Sequence, residues 1–178
     1  MVSRRRILLA GAAFLPVAGV GLWAFARNAR GPVTDADGVT QLGWRDLLPP
    51  EDARSVLTGF IDHEQTQSAG FFVQPPSSGV RREWDGQMVS LPGFVVPMRY
   101  DGDAVSEFIL VPYVGACIHV PPPPANQLVY VRAETAVEVQ ELFAAVRVTG
   151  VMGIIETDTN LAEISYLMDA TRIAPVEV

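Results

Sequence analysis

Met88-Val89-Ser90-Leu91-Pro92-Gly93-Phe94-Val95-Val96-Pro97 is the stretch on which the fold turns. It follows Trp84-Asp85-Gly86, carries no charge, and is rich in valine. Such a run reads as one strand with a glycine kink at Gly93. The same signal recurs downstream in residues 106–112 (ended by Pro112), 128–132, 146–152 and 164–170. Between the third and fourth, residues 137–145 place Val137, Leu142 and Phe143 at helical spacing among acids. Five strands with a helix between the third and fourth match the order of an OB-type barrel. Gly93 and Gly150 fall inside strands, where a small closed barrel bends sharply. The expected class is mainly β with minor α: a small five-stranded OB-like β-barrel. The pattern leaves another small barrel or a sandwich open.

Working outward to the N-terminus, Ser3-Arg4-Arg5-Arg6-Ile7-Leu8-Leu9 has the form of a twin-arginine export signal. No charge follows until Arg27, and the run is rich in Ala and Gly with Pro16 in its middle. Ala24-Phe25-Ala26 offers a small-x-small cleavage site. An uncleaved membrane anchor is the competing reading, since the uncharged run is long enough to span a bilayer. In both readings the arginines stay inside and the domain ends up outside, in the periplasm. The expected organisation is residues 1–26 as signal peptide or anchor, 27–40 as linker, and 41–178 as a single β-rich domain. Within that domain, residues 51–60 suggest a short helix, and Pro75-Pro76-Ser77-Ser78-Gly79 a loop.

The formal charge of −7 conceals a split. Beyond Arg4, Arg5 and Arg6, ten arginines face all twenty acidic residues, a formal −10, and there is no lysine. A surface of that sign is repelled by phosphate backbones and anionic lipid, which argues against nucleic acid and leaves membrane contact to the N-terminal segment. The single cysteine, Cys117, excludes an internal disulfide, so the fold stands on its apolar core.

That cysteine lies in the chemically richest segment: Tyr113-Val114-Gly115-Ala116-Cys117-Ile118-His119-Val120, then Pro121-Pro122-Pro123-Pro124-Ala125-Asn126-Gln127. In an extended chain, residues two apart share a face, which would set the thiol beside the imidazole. The four prolines have fixed φ and no N–H, so they favour a stiff polyproline segment over a central strand. Asn126 and Gln127 follow as groups able to hydrogen-bond loop backbone or orient an imidazole.

Gly115-x-Cys117-x-His119-x-Pro121-Pro122-Pro123-Pro124-x-Asn126-Gln127 resembles the signature of the bacterial domain-of-unknown-function 3299 family. The likeness extends through Leu91–Pro97, Phe108–Tyr113 and the Trp44-x-Asp46-Leu47-Leu48-Pro49 patch, covering most of the chain from Trp44 onward. The resemblance implies an exported protein without an established biochemical role. An association of some relatives with transporter gene clusters and metal homeostasis is a hint towards metal.

Three readings of the loop stand side by side. Cys117 and His119 are ligand types for zinc or copper, with His63, Asp62, Glu64, Met98, water or a second chain completing the site. Alternatively the cysteine is packed, the histidine hydrogen-bonded, and the prolines only shape a rim, as in a structural subunit of an envelope or transporter complex. The third reading is a thiol enzyme with a Cys-His-Asn arrangement, which lacks any recognised nucleophile context. The expectation is a non-enzymatic binding or accessory protein, with a metal at Cys117, His119 and His63. Tyr113, Pro121, Pro122, Pro123, Pro124, Asn126 and Gln127 are its supporting loop.

Overall fold

The structure, a computed structural model, describes residues 31–50, 74–116, 122–138, 143–159 and 162–176. The chain is mainly β. Its strands are β1 (Val33–Thr34), β2 (Thr40–Gln41), β3 (Met88–Asp101), β4 (Ala104–Val111), β5 (Val129–Val137), β6 (Ala145–Asp158) and β7 (Glu163–Pro175). The five expected strands fall on β3 to β7. Val33–Thr34, inside the stretch read as a linker, pairs with Thr40–Gln41, and the latter pairs parallel with β3.

Helical structure among the described residues is confined to 3-10 turns at Trp44–Leu47, Arg82–Trp84 and Ala125–Gln127. The helix expected over 137–145 meets strand at both ends, because Val137 closes β5 and Ala145 opens β6. Residues 139–142 between them, and the helix expected over 51–60, lie outside the described residues. Phe143 is left-handed, at φ 62, a conformation that costs a bulky residue about 1–2 kcal/mol. Two backbone bonds hold it there: Phe143 N–H donates to the Val95 carbonyl (3.1 Å) and Val95 N–H to the Ala144 carbonyl (3.0 Å).

β3 is antiparallel to β4, β4 to β5, β6 to β7 and β6 to β3, while β5 and β7 run parallel. The first half of β3 pairs with β6 and the second with β4, the change-over falling at Phe94. The strand runs on past Pro97, the last residue of the run read from the sequence, to Asp101. Pro97 sits beside a register shift on β3, beyond the reach of β6, where a missing N–H breaks no ladder.

Alternation sorts the side chains into two clusters. Val89, Leu91, Val95, Phe108, Leu110, Val129, Val131, Tyr166 and Met168 share the main core. Val96, Ile109, Val111, Ala116, Leu128 and Ile164 form a second, with Phe94, Met98, Tyr130 and Phe143 against it. Residues 108–111 are therefore apolar without alternation: both faces of β4 are covered there, and all four are fully buried. Two glycines in these strands, Gly93 and Gly150, mark close approach. A Cβ on Gly93 would meet Leu110, the Val111 carbonyl and the Trp44 ring at 2.8–2.9 Å. On Gly150, beside a register shift, it would lie 2.2 Å from the Asp169 carbonyl.

Candidate functional site

The loop between β4 and β5 leaves the second cluster at Ala116 and returns to it at Leu128, both fully buried. Gly115, at φ 88, makes the turn that a side chain would strain. Tyr113, just before it, is 36% exposed. Pro122 and Pro123 are buried and Pro124 half-buried. Cys117, His119 and Pro121 lie outside the described residues, as do His63, Asp62 and Glu64. Met98, a candidate further ligand, is half-buried against the second cluster.

Proline supplies carbonyls but no N–H, so a proline-rich root must take its hydrogen-bond donors from elsewhere. Here they are carboxamides. Asn126 is fully buried, and its Nδ2 donates to the Gly79 carbonyl (2.7 Å) and to Ser78 Oγ (3.1 Å). Gln127, 3% exposed, donates through Nε2 to the Trp44 carbonyl (2.9 Å) and the Asn126 carbonyl (3.0 Å). Gln74 donates to the Pro123 carbonyl (2.8 Å) and the Glu163 carbonyl (2.9 Å), and accepts from Glu163 N–H (2.8 Å). Three amides thus stitch the loop root to the Trp44 turn, to residues 78–79 and to the start of β7.

One atom of this network is left over. Gly79's carbonyl only accepts, so it fixes which end of the Asn126 amide faces it, and Asn126 Oδ1 is buried without a hydrogen-bond partner. An acceptor stranded in the interior costs about 1–3 kcal/mol until a donor reaches it. Among the described residues the one other such atom is Arg81 Nε. Its guanidinium lies 5.6 Å from the Trp84 ring centroid, donates to the Leu48 carbonyl at 3.3 Å and pairs with Glu83.

The Trp44 turn is itself held firmly. Gly43 N–H donates to Asp46 Oδ2 (2.8 Å), Trp44 Nε1 to the Pro92 carbonyl (2.8 Å) and Trp84 Nε1 to the Asp46 carbonyl (2.6 Å). Tyr166, from the main core, donates to the Leu47 carbonyl (2.8 Å) and accepts from Arg81 N–H (2.7 Å). Burial pushes the Tyr166 phenol above its ordinary pKa. The patch at 44–49 is therefore a cap on the strands and, through Gln127, a support of the loop.

Asn126 and Gln127 thus do what their sequence position suggested for backbone bonding. Ser78, Gly79 and the Trp44 carbonyl were not legible as their partners, nor Gln74 as the partner of Pro123; for Gln74 the sole signal was an amide directly before Pro75-Pro76. Glu107 binds Arg99 (3.1 Å) and the Tyr130 hydroxyl, and Glu163 is opposite Asp158 across the β6–β7 pair. Burial, then the Glu107 contact, raises the Tyr130 pKa. Among the described residues there is no cluster of three or more His, Cys, Asp or Glu able to hold a metal, and no helix long and apolar enough to cross a membrane.

Fold and loop root together define a small, mainly β protein whose irregular chemistry is gathered in one proline-rich connection. The chain belongs to the DUF3299 family of proteins of unknown function, whose model matches residues 44–175. It is similar to a crystal structure of a DUF3299 family protein from Pseudomonas aeruginosa, at 34% identity and a TM-score of 0.61, over 79% of this chain and 97% of that one. A candidate aspartyl-tRNA synthetase from Leishmania major aligns at 16% identity over 62% of this chain and 22% of its own, with a TM-score of 0.36, too weak a likeness to bear on the fold. No curated protein matches the chain.

Proposed function

We propose that this is an exported, extracytoplasmic binding or accessory protein that holds a transition metal, zinc or copper, through Cys117 and His119. The observation that carries the reading is the buried, unpartnered Asn126 Oδ1 at the root of that loop. An acceptor of this kind is what orients a ligating imidazole: it takes one ring N–H and leaves the other nitrogen for the metal. His63 is the candidate third ligand, with water or a second chain as the alternative. The twin-arginine-like segment at residues 3–9 supports export, by cleavage after Ala26 or by anchoring there.

The pairing circuit β3–β4–β5–β7–β6–β3 supports the finer fold reading, a five-stranded OB-like barrel. OB-like domains commonly bind oligonucleotides or saccharides, but a formal −10 beyond the signal segment argues against nucleic acid. A second reading is a structural subunit of an envelope or transporter complex. The burial of Pro122 and Pro123 favours it, because a rim built for shape needs no ligand.

The deciding measurement is the metal content of protein purified from the periplasmic fraction, wild type against Cys117→Ser, followed by zinc and copper(I) titration of both and of His119→Ala and His63→Ala. Loss of either loop ligand is expected to cost more than the ~10–100-fold typical of supporting residues. Affinity is expected to fall as pH drops through about 6.5, where imidazole takes up a proton. Metal-free wild type that binds no tighter than about micromolar would sink the metal reading.

A further inference from the structure

We propose that the cleft where β5 and β7 part binds an extended peptide as an added strand, with Arg172 taking an acidic side chain of that peptide. The site uses no residue of the proline-rich connection and is independent of the metal reading. β5 and β7 pair from Val129 and Tyr166 to Ala133 and Ala170, and there the pairing stops. Both strands continue, β5 to Val137 and β7 to Pro175. Beyond that point β7 stays with β6, and β5 rejoins β4 at Val105. Each is left with one edge that has no partner strand among the described residues.

Two irregularities open the cleft. On the β6–β7 pair, Gly150 faces Ala170 and Thr149 faces Arg172, which leaves Thr171 as an extra residue. Its hydroxyl donates to the Thr149 carbonyl at 3.3 Å and fastens the bulge. Gly150 lets the two strands close up behind it, where a Cβ would lie 2.2 Å from the Asp169 carbonyl. On β5, Arg132 faces Glu107 and Val137 faces Val105, so residues 133–136 arch past the one residue Ser106. Bulges end pairing and turn an edge aside. Here two of them, on neighbouring strands, do so where the β5–β7 ladder ends.

The walls are Thr135 and Val137 on one side and Ala170, Thr171, Arg172 and Ile173 on the other. The cleft, about 240 Å³, is smaller than the ~300–1,000 Å³ of small-molecule pockets. What its walls offer is backbone. A strand edge is a row of N–H and C=O groups open to another chain, and no proline interrupts either edge before Pro175. Because β5 and β7 are parallel, a strand antiparallel to one is antiparallel to both, the better-paired arrangement. Arg172 is the charged residue of the walls. It is exposed and has no ion pair among the described residues, whereas Arg132 is taken by Asp169. Glu134 on β5 and Glu138 just past it are exposed and repel a carboxylate, which directs it to the β7 wall.

The test selects a random heptapeptide library displayed on phage against full-length wild type, Arg172→Glu and Arg82→Glu. Arg82 is exposed on the 3-10 turn at Arg82–Trp84 and lines no part of the cleft, so its variant controls for net charge. Wild type and Arg82→Glu are expected to enrich Glu or Asp at one position of the peptide, although the acidic protein as a whole repels such peptides. Arg172→Glu is expected to enrich Lys or Arg there. In the best wild-type peptide, changing the acidic residue to its amide is expected to weaken binding about two- to fivefold, the weight of an exposed ion pair. A proline at its centre, which removes a backbone donor, is expected to abolish binding. The bound peptide should also slow amide exchange at residues 134–137 and 171–173. No enrichment on wild type, or the same sequences from wild type and Arg172→Glu, overturns the proposal. So does a selected peptide whose protection falls outside those two edges.

Discussion

Along β3 to β7 the chain is held by backbone ladders with apolar side chains on either face, whereas at residues 122–127 it is held by side-chain amides reaching for carbonyls. In the first region the partners are generic: any residue with an N–H and a C=O completes a ladder, and burial of Val, Ile and Leu stabilises it at about 25 cal/mol per Å². In the second the partners are particular. Gln74, Asn126 and Gln127 each have a fixed fork of donors, and each bond spans a different pair of segments. A ladder tolerates substitution wherever volume is kept, while an amide stitch fails when its one donor is removed. The contrast places rigidity of a specific shape at the loop root and bulk stability in the strands.

The largest expected effect breaks the strand side of that comparison. At Gly150 an added Cβ would strike the Asp169 carbonyl at 2.2 Å and Ala170 Cα at 2.7 Å, all backbone that cannot swing away. Gly150→Ala is expected to cost about 3 kcal/mol or more, from overpacking at the β6–β7 seam. Gly153, on the same strand, has nothing nearer than 3.9 Å, so Gly153→Ala should stay within about 0.5 kcal/mol. Urea denaturation of both variants checks the pair. Equal midpoints would mean that the seam relaxes freely.

Next in size is Tyr166, where the strands meet the Trp44 cap. Replacing it by Phe keeps the ring in the main core but leaves the Leu47 carbonyl and the Arg81 N–H without their partner. The expected loss is about 1–3 kcal/mol. Burial raises the phenol pKa in the fold. Its contribution is therefore complete below the unfolded value of about 10 and is lost as pH rises through the folded value. Urea midpoints of wild type should fall more steeply above about pH 10 than those of Tyr166→Phe. Parallel curves would place the hydroxyl's bonds outside the stability of the cap.

The same contrast explains what the sequence made legible. The five long strands announce themselves through local signals: valine-rich runs, Gly93 and Gly150 inside them, Pro112 at an end. Their lengths were less legible, because the outer residues of β5, β6 and β7 are polar and owe their place to pairing with neighbours. The continuation through Pro97 depends on that residue lying where no second partner strand reaches. β1 and β2, two residues each, are too short to carry a pattern. At the loop, the prolines and the Asn126-Gln127 pair were conspicuous by composition, but their partners at 44, 74, 78 and 79 were not. Those bonds cross 47 to 83 residues, and nothing local in a glutamine before two prolines tells which carbonyl it will meet.

The smallest expected effect lies on the surface, and it sharpens the comparison by asking whether side-chain pairing matters where ladders already exist. Arg132 on β5 and Asp169 on β7 are direct partners across the parallel seam. The guanidinium donates through Nε at 2.7 Å and through Nη2 at 2.9 Å to the two carboxylate oxygens. That geometry is the strong form of an ion pair, but the two side chains are 52% and 57% exposed, so water and salt screen them. A double-mutant cycle with Arg132→Ala and Asp169→Ala is therefore expected to return about 0.2–1 kcal/mol, shrinking towards zero in about 1 M salt, where the Debye length is about 3 Å. A coupling above about 1.5 kcal/mol that survives salt would mean that the β5–β7 seam relies on this pair. The division between generic ladders and particular side-chain bonds would then fail at the seam where β5 and β7 run parallel, because parallel pairing is slightly weaker per residue and has more to gain from a side-chain clasp.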